Sequence, residues 1–103
     1  MNKFGDLIRA KREEQDMLLR HLSAALDIDT AQMSKIERGE RTAKREHVHQ
    51  LIKIFKLNER EVTTLWLADQ VYAVVADEKE ALEALIVAEK EVKYQKKLNT
   101  NGV

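Results

Sequence analysis

The stretch from Leu19 to Arg38, Leu-Arg-His-Leu-Ser-Ala-Ala-Leu-Asp-Ile-Asp-Thr-Ala-Gln-Met-Ser-Lys-Ile-Glu-Arg, leaves a folding chain few choices. Apolar residues fall at Leu22, Ala25, Leu26 and Ile28, then again at Met33 and Ile36. Each group has the spacing of one helix face. Asp27-Ile28-Asp29 between them is long enough only for a tight turn. The pattern predicts two short helices crossing steeply, with Leu22, Leu26, Ile28, Met33 and Ile36 pinning the corner. Asp29 is placed to cap the second helix by accepting from the backbone N–H of Ala31 or Gln32. The outer face of that helix keeps Thr30, Ala31, Gln32, Lys35 and Arg38. It is short, polar and cationic.

The flanks read as further helices. The first runs from about Lys3 to Gln15, with Phe4, Leu7, Ile8 and the stem of Arg12 on one face and Asn2 as its N-cap. Asp16 is expected to cap a second helix starting near Met17. Gly39 reads as a C-terminal stop, and Thr42 as the cap of a helix from Ala43 to Phe55 that buries Val48, Leu51, Ile52 and Phe55. Asn58-Glu59-Arg60-Glu61 has the form of a capping box opening a fifth helix, which carries Val62, Leu65, Trp66, Val71, Tyr72 and Val75. Asp77-Glu78-Lys79-Glu80 is a second cap-like sequence, before a last helix from about Glu78 to Lys97. There Ala81, Leu85, Ala88, Val92 and Gln95 follow a heptad-like spacing for about two heptads. Asn99 to Val103 reads as a frayed tail.

Composition sets limits. With 44% hydrophobic and 35% charged residues, the 103-residue chain has the makeup of a foldable helical domain. The absence of Cys excludes disulfides, thiol catalysis and cysteine zinc sites. No apolar signal core follows Met1 and no run approaches membrane-spanning length, so a cytoplasmic location is expected. No Ser/His/Asp set, glycine-rich phosphate loop or paired acid offers catalytic residues, and no cofactor is implied. His47 and His49 are two apart on a helix and point to different sides, which makes a metal pair a poor reading. Asp27-x-Asp29 lacks the glycine and remaining ligands of a calcium loop.

The run Ile28-Asp29-Thr30-Ala31-Gln32-Met33-Ser34-Lys35-Ile36-Glu37-Arg38-Gly39 resembles the core of the XRE family of phage-repressor-like helix-turn-helix proteins. The resemblance is closest over Ser34 to Gly39 and covers roughly Phe4 to Trp66. It implies an all-α fold, a five-helix lambda-repressor-like helix-turn-helix domain (residues 1–66, motif 19–38), followed by an additional C-terminal helical extension (67–103). It also implies an ion pair between Arg12 and Glu37 tying the first helix to the end of the third, with Arg12 also near phosphate, and it sets Arg45 where a basic residue approaches the minor groove. The chain departs from the family at Leu18-Leu19, where relatives have Ser or Thr followed by a phosphate-contacting Gln. Arg20 is the candidate substitute. Ser23, Asp27 and Ala43 also stand where relatives tend to have Ala, Gly and Pro.

The formal net charge is zero, which by itself argues against nucleic-acid binding, but its distribution is uneven. Residues 1–56 carry 12 Lys and Arg against 9 Asp and Glu, whereas residues 57–103 carry 6 against 9. Residues 30–56 carry 7 basic and 3 acidic side chains, on and just after the proposed recognition helix. Major-groove chemistry then assigns roles. Gln32 suits a bidentate adenine contact, Lys35 suits guanine O6 and N7 or, failing that, a phosphate, and Thr30 and Ala31 suit thymine methyls or the sugar edge. Arg38, Arg41, Thr42 and Lys44 are candidates for phosphate, which positions the protein and does not select sequence. One such module reads few base pairs, so a homodimer on a near-palindromic operator is expected, its recognition helices one DNA turn, roughly 34 Å, apart. Trp66, Val71, Tyr72, Val75, Leu82, Leu85 and Ile86 are the candidate dimer contacts. The expected function is transcriptional regulation, as a repressor or autoregulator such as a restriction–modification controller or phage-type repressor. The alternative is an antitoxin-like module whose C-terminal helices neutralise a protein partner.

Overall fold

The structure, a computed structural model, describes residues 1–101. Its described residues form six helices and no strand: α1 (Lys3–Glu14), α2 (Leu19–Ala25), α3 (Thr30–Glu37), α4 (Arg45–Phe55), α5 (Glu59–Val75) and α6 (Ala81–Asn101). Two compact units divide between Tyr72 and Ala73, inside α5 and beyond the boundary after Trp66 that the sequence suggested. The reason is Asp69, which engages the start of α1 and draws this part of α5 into the first unit. No helix among the described residues is long and apolar enough to cross a membrane.

With so few glycines, the chain stops its helices in an unusual way. Four helix ends turn through a left-handed residue: Asp16 (φ 52°), Asp27 (φ 56°), Gly39 (φ 77°) and Lys56 (φ 53°). After each, the next N–H reaches back five residues to a carbonyl: Met17 to Arg12 at 3.0 Å, Ile28 to Ser23 at 3.0 Å, Glu40 to Lys35 at 2.8 Å and Leu57 to Ile52 at 3.0 Å. This Schellman closure satisfies carbonyls that the helix end would otherwise strand. Asp27 takes one of these left-handed turns, a geometry that Asp tolerates better than most residues. Asp16, in contrast, ends α1 and does not cap α2, which starts at Leu19 with Leu18 as an N-cap lacking a side-chain bond.

The helix starts differ from expectation in the same informative way. Asn2 precedes α1 but its side chain does not cap it. The amides of Lys3 and Phe4 donate instead to the carboxylate of Asp69, at 3.0 and 2.9 Å, from 65 residues or more along the chain. Asn2 Nδ2 is thereby free to donate to the Glu37 carbonyl at 2.8 Å. Thr42 does not cap α4 either. That helix starts at Arg45 after an N-cap, Lys44, without a side-chain bond. Asn58 does cap α5, accepting from the Glu61 N–H at 2.9 Å, and Asp29 accepts from the Gln32 N–H at 2.6 Å. The last helix begins at Ala81, not Glu78, and Asn99 to Asn101 are helical, not frayed. Gly102 and Val103 of the expected tail lie outside the described residues.

Asn2 also explains a glycine inside α1. A Cβ on the buried Gly5 would run into the Asn2 side chain and, at 2.5 Å, the Glu37 carbonyl oxygen. Gly to Ala in a helix ordinarily stabilises by about 0.5–1 kcal/mol. Here the sign should reverse. Gly5→Ala is expected to destabilise by about 1–3 kcal/mol, as overpacking does, read as a lower denaturant midpoint. An unchanged or higher midpoint would contradict this close approach of α1 and α3.

The first unit's core is continuous across five helices. Phe4 and Ile8 come from α1, Leu22 and Leu26 from α2, Met33 and Ile36 from α3, Val48, Leu51 and Phe55 from α4, and Val62 and Trp66 from α5. Fully burying each such side chain contributes about 1.5–3 kcal/mol. Ile28 and Ile52, expected in the core, are only partly buried against it. Trp66 is a correction. It is buried, and its indole N–H donates to the Ala43 carbonyl at 2.9 Å, so it belongs to the core and not to a dimer surface. The apolar residues further along, Val71, Tyr72, Leu82 and Ile86, are exposed, while Val75 and Leu85 are half-buried.

Candidate nucleic-acid interface

The candidate surface grows out of the α2–α3 corner. Asp29 fixes the start of α3, whose Met33, Ile36 and Glu37 are buried against its neighbours α1 and α2. The 3.6-residue period then turns Thr30, Ala31, Lys35 and Arg38 outward, and all four are exposed. Gln32 lies at the edge of this face, half-buried. Ser23, the small residue at the corner, has its Oγ 3.4 Å from Thr30 Oγ1 and donates to the Arg20 carbonyl at 3.1 Å.

Gln32 also lines a cleft of about 480 Å³, together with Arg41, Lys44, Glu46, His47 and Gln50. Here the structure brings three expected site residues together, Gln32, Arg41 and Lys44. The first amides of α4 open beside them. Lys44 provides no side-chain cap, so these N–H groups have no acceptor from their own N-cap. Together with two exposed cations they form a positive end suited to an anion, tempered by Glu46 in the first turn. Sequence reasoning missed Glu46, His47 and Gln50 as neighbours of Gln32. No local pattern links residues fifteen or so apart on different helices. His47 is buried with Nδ1 unpartnered among the described atoms, whereas His49 is exposed and 3.5 Å from the Glu59 carboxylate.

The other basic candidates separate by what they touch. Arg12 is drawn inward. Its Nε and Nη2 donate to Glu37 Oε2 and Oε1 at 2.8 and 3.0 Å, and Nη1 donates to the Met17 carbonyl at 3.0 Å. Glu37 is 4% exposed and the Arg12 side chain 15%, so the fork ties α1 to α3 and leaves Arg12 little to offer a phosphate. The hydrogen bond to Glu37 raises the Arg12 pKa above its ordinary value, burial acting against it. The guanidinium is therefore charged throughout the neutral range, and its contribution would be lost only as pH rose through that raised value. Arg38 pairs with Glu40 at 2.7 Å on the open surface, a contact worth about 0–1 kcal/mol that a phosphate could displace. The Arg45 guanidinium lies 4.9 Å from the centre of the Trp66 ring, a cation–π contact that fixes it at the start of α4. Arg20, Arg41, Thr42 and Lys44 are exposed. Arg20 and Thr42 do not line the cleft.

No protein-family model matches the chain, and neither the curated proteins nor the solved structures give a match to it.

Proposed function

We propose that the chain is a sequence-specific DNA-binding transcriptional regulator of the XRE type, acting as a homodimer on a near-palindromic operator. In this reading α2 and α3 are a helix-turn-helix, and α3 enters the major groove. One observation carries it. The outward face of α3 is free of core duties, and Gln32 on its edge shares a cleft with Arg41, Lys44 and the uncapped start of α4. An amide of the kind that reads bases therefore sits next to a cationic end of the kind that holds phosphate, the pairing of selection and positioning that duplex recognition needs. Thr30, Ala31, Gln32 and Lys35 read bases. Arg20, Arg38, Arg41, Thr42 and Lys44 contact phosphate, with Arg45 oriented by Trp66 near the minor groove. Glu37 and Arg12 hold α3 at its angle.

Competition binding between duplexes tests the roles separately. Gln32→Ala should lose about 1–3 kcal/mol of discrimination at particular base pairs while the fold survives. Lys44→Gln should weaken all duplexes alike and shallow the salt dependence by about one phosphate. An unchanged sequence preference in Gln32→Ala removes Gln32 from the readout. A second reading, a module that binds and neutralises a protein such as a toxin, is favoured by the exposed apolar residues of α6, among them Leu82, Ile86 and Val87. It requires no DNA affinity at all, and the same competition separates the two.

A further inference from the structure

Helix α3 is eight residues long, too short to keep its shape unaided, so what fixes its two ends fixes the face it presents. Asp29 holds the first end. At the other, the Arg41 N–H would continue the helix by donating to the Glu37 carbonyl, but it turns to the Lys35 carbonyl at 3.3 Å. Asn2 Nδ2 donates to the Glu37 oxygen instead, at 2.8 Å and from 35 residues away. Two glycines make the room. The half-buried Asn2 side chain occupies the space that a Cβ on Gly5 would need, and a Cβ on Gly39 would stand 2.7 Å from Asn2 Cγ. Asn2 thus packs on the left-handed residue that ends α3 and turns the chain toward Arg41.

Asn is among the best N-cap residues, and Asn2 stands at the N-cap position of α1. Its side chain is not used there because the Asp69 carboxylate of α5 already accepts from the amides of Lys3 and Phe4. We propose that Asn2 and Asp69 are positioning residues for duplex reading. Asp69 caps α1 from α5, and Asn2, released from that duty, holds the C-terminal end of α3. This rests on the DNA-binding reading above and deepens it by adding two residues that set base selectivity through α3. The two helix ends compete for one side chain. Without Asp69, the bare amides of α1 draw Asn2 back into an ordinary cap, and the Glu37 carbonyl loses its donor. Lys35 and Arg38, exposed at that end of α3, then shift, whereas Asp29 still holds the end that carries Thr30 to Gln32.

Full-length Asn2→Asp, Asp69→Ala and the double variant are compared with the parent on the duplex that the parent enriches from a random library and on a scrambled one. Asn2→Asp keeps the size of the side chain but has no N–H to give the Glu37 carbonyl. A change that only unfolds part of the sample lowers affinity for both duplexes by the same factor, so the ratio of the two affinities reports the placement of α3 and not stability. Each single variant should lose about tenfold of that ratio, within what one base contact discriminates. The double variant should lose no more than either, since both changes break the same hold. In the free chains, amide exchange should quicken more at Gly39, Glu40 and Arg41 than at Val48 in α4. Single variants that keep the parent's ratio would overturn the proposal and leave the DNA reading intact. A loss in Asn2→Asp without one in Asp69→Ala would overturn the link through α5. A parent that enriches no duplex would overturn the DNA reading itself, and this role with it.

Discussion

Glu37→Ala should cost the protein about 3–5 kcal/mol, the largest loss expected of any single polar residue here. Arg12 would keep its charge while losing the two oxygens that its Nε and Nη2 now share. The penalty is mainly that of a partly buried cation left without a partner, and it exceeds the value of the pair itself. For a chain of this size that loss lowers Tm by more than about 10 °C. The double variant Arg12→Met/Glu37→Met removes both charges and should recover most of the stability, because an apolar pair of similar volume is often neutral in such a site. Thermal unfolding of the three proteins checks it. A Glu37→Ala variant within about 1 kcal/mol of the parent would mean the fork is an accessory to the α1–α3 contact, which Asn2 and Gly5 also make.

Truncation after Ala76 should have the other large effect, on binding. The first unit ends at Tyr72, so its core, the Asp69 cap and the α3 face all remain. In the proposed homodimer, what the truncation removes is the second copy held at hand. Joining two binding modules raises overall affinity by about 10²–10⁴-fold without any new contact to DNA, and the truncated chain should lose that factor on a full operator while keeping its affinity for a half-site. Sedimentation and titration on full and half sites read both halves of the prediction. A truncated chain that still forms a tight dimer would place the interface elsewhere.

Much of the helical frame was legible in the sequence because its signals are local. The α2–α3 corner, the Asp29 cap, the Gly39 stop and the Asn58 cap each depend on residues within one turn. The misreadings share a cause. Asp16 fits a cap by residue type, but its left-handed backbone and the Met17 to Arg12 bond make it a stop. Thr42 was outranked because Ala43 is held in the core, its carbonyl taken by the Trp66 indole, which delays the start of α4. Trp66 itself followed an apolar pattern that cannot distinguish a core from an interface. Asp69 carried no local signal, since a carboxylate capping a helix 65 residues away is visible only once α1 and α5 are packed. The candidate surface was legible as residues, not as an arrangement. Gln32, Arg41 and Lys44 could be named from the sequence, whereas their common cleft, and the withdrawal of Arg12 into the fold, are consequences of tertiary packing.

In the proposed complex, α3 reads a duplex on behalf of a dimer. Selection from a random duplex library, followed by binding to the winner across a salt series, tests it most directly. The expected result is a palindromic consensus with half-sites about one DNA turn apart, and a steep fall of affinity with salt set by the number of phosphates contacted. Salt-sensitive binding with no consensus, or no binding at all, would contradict it.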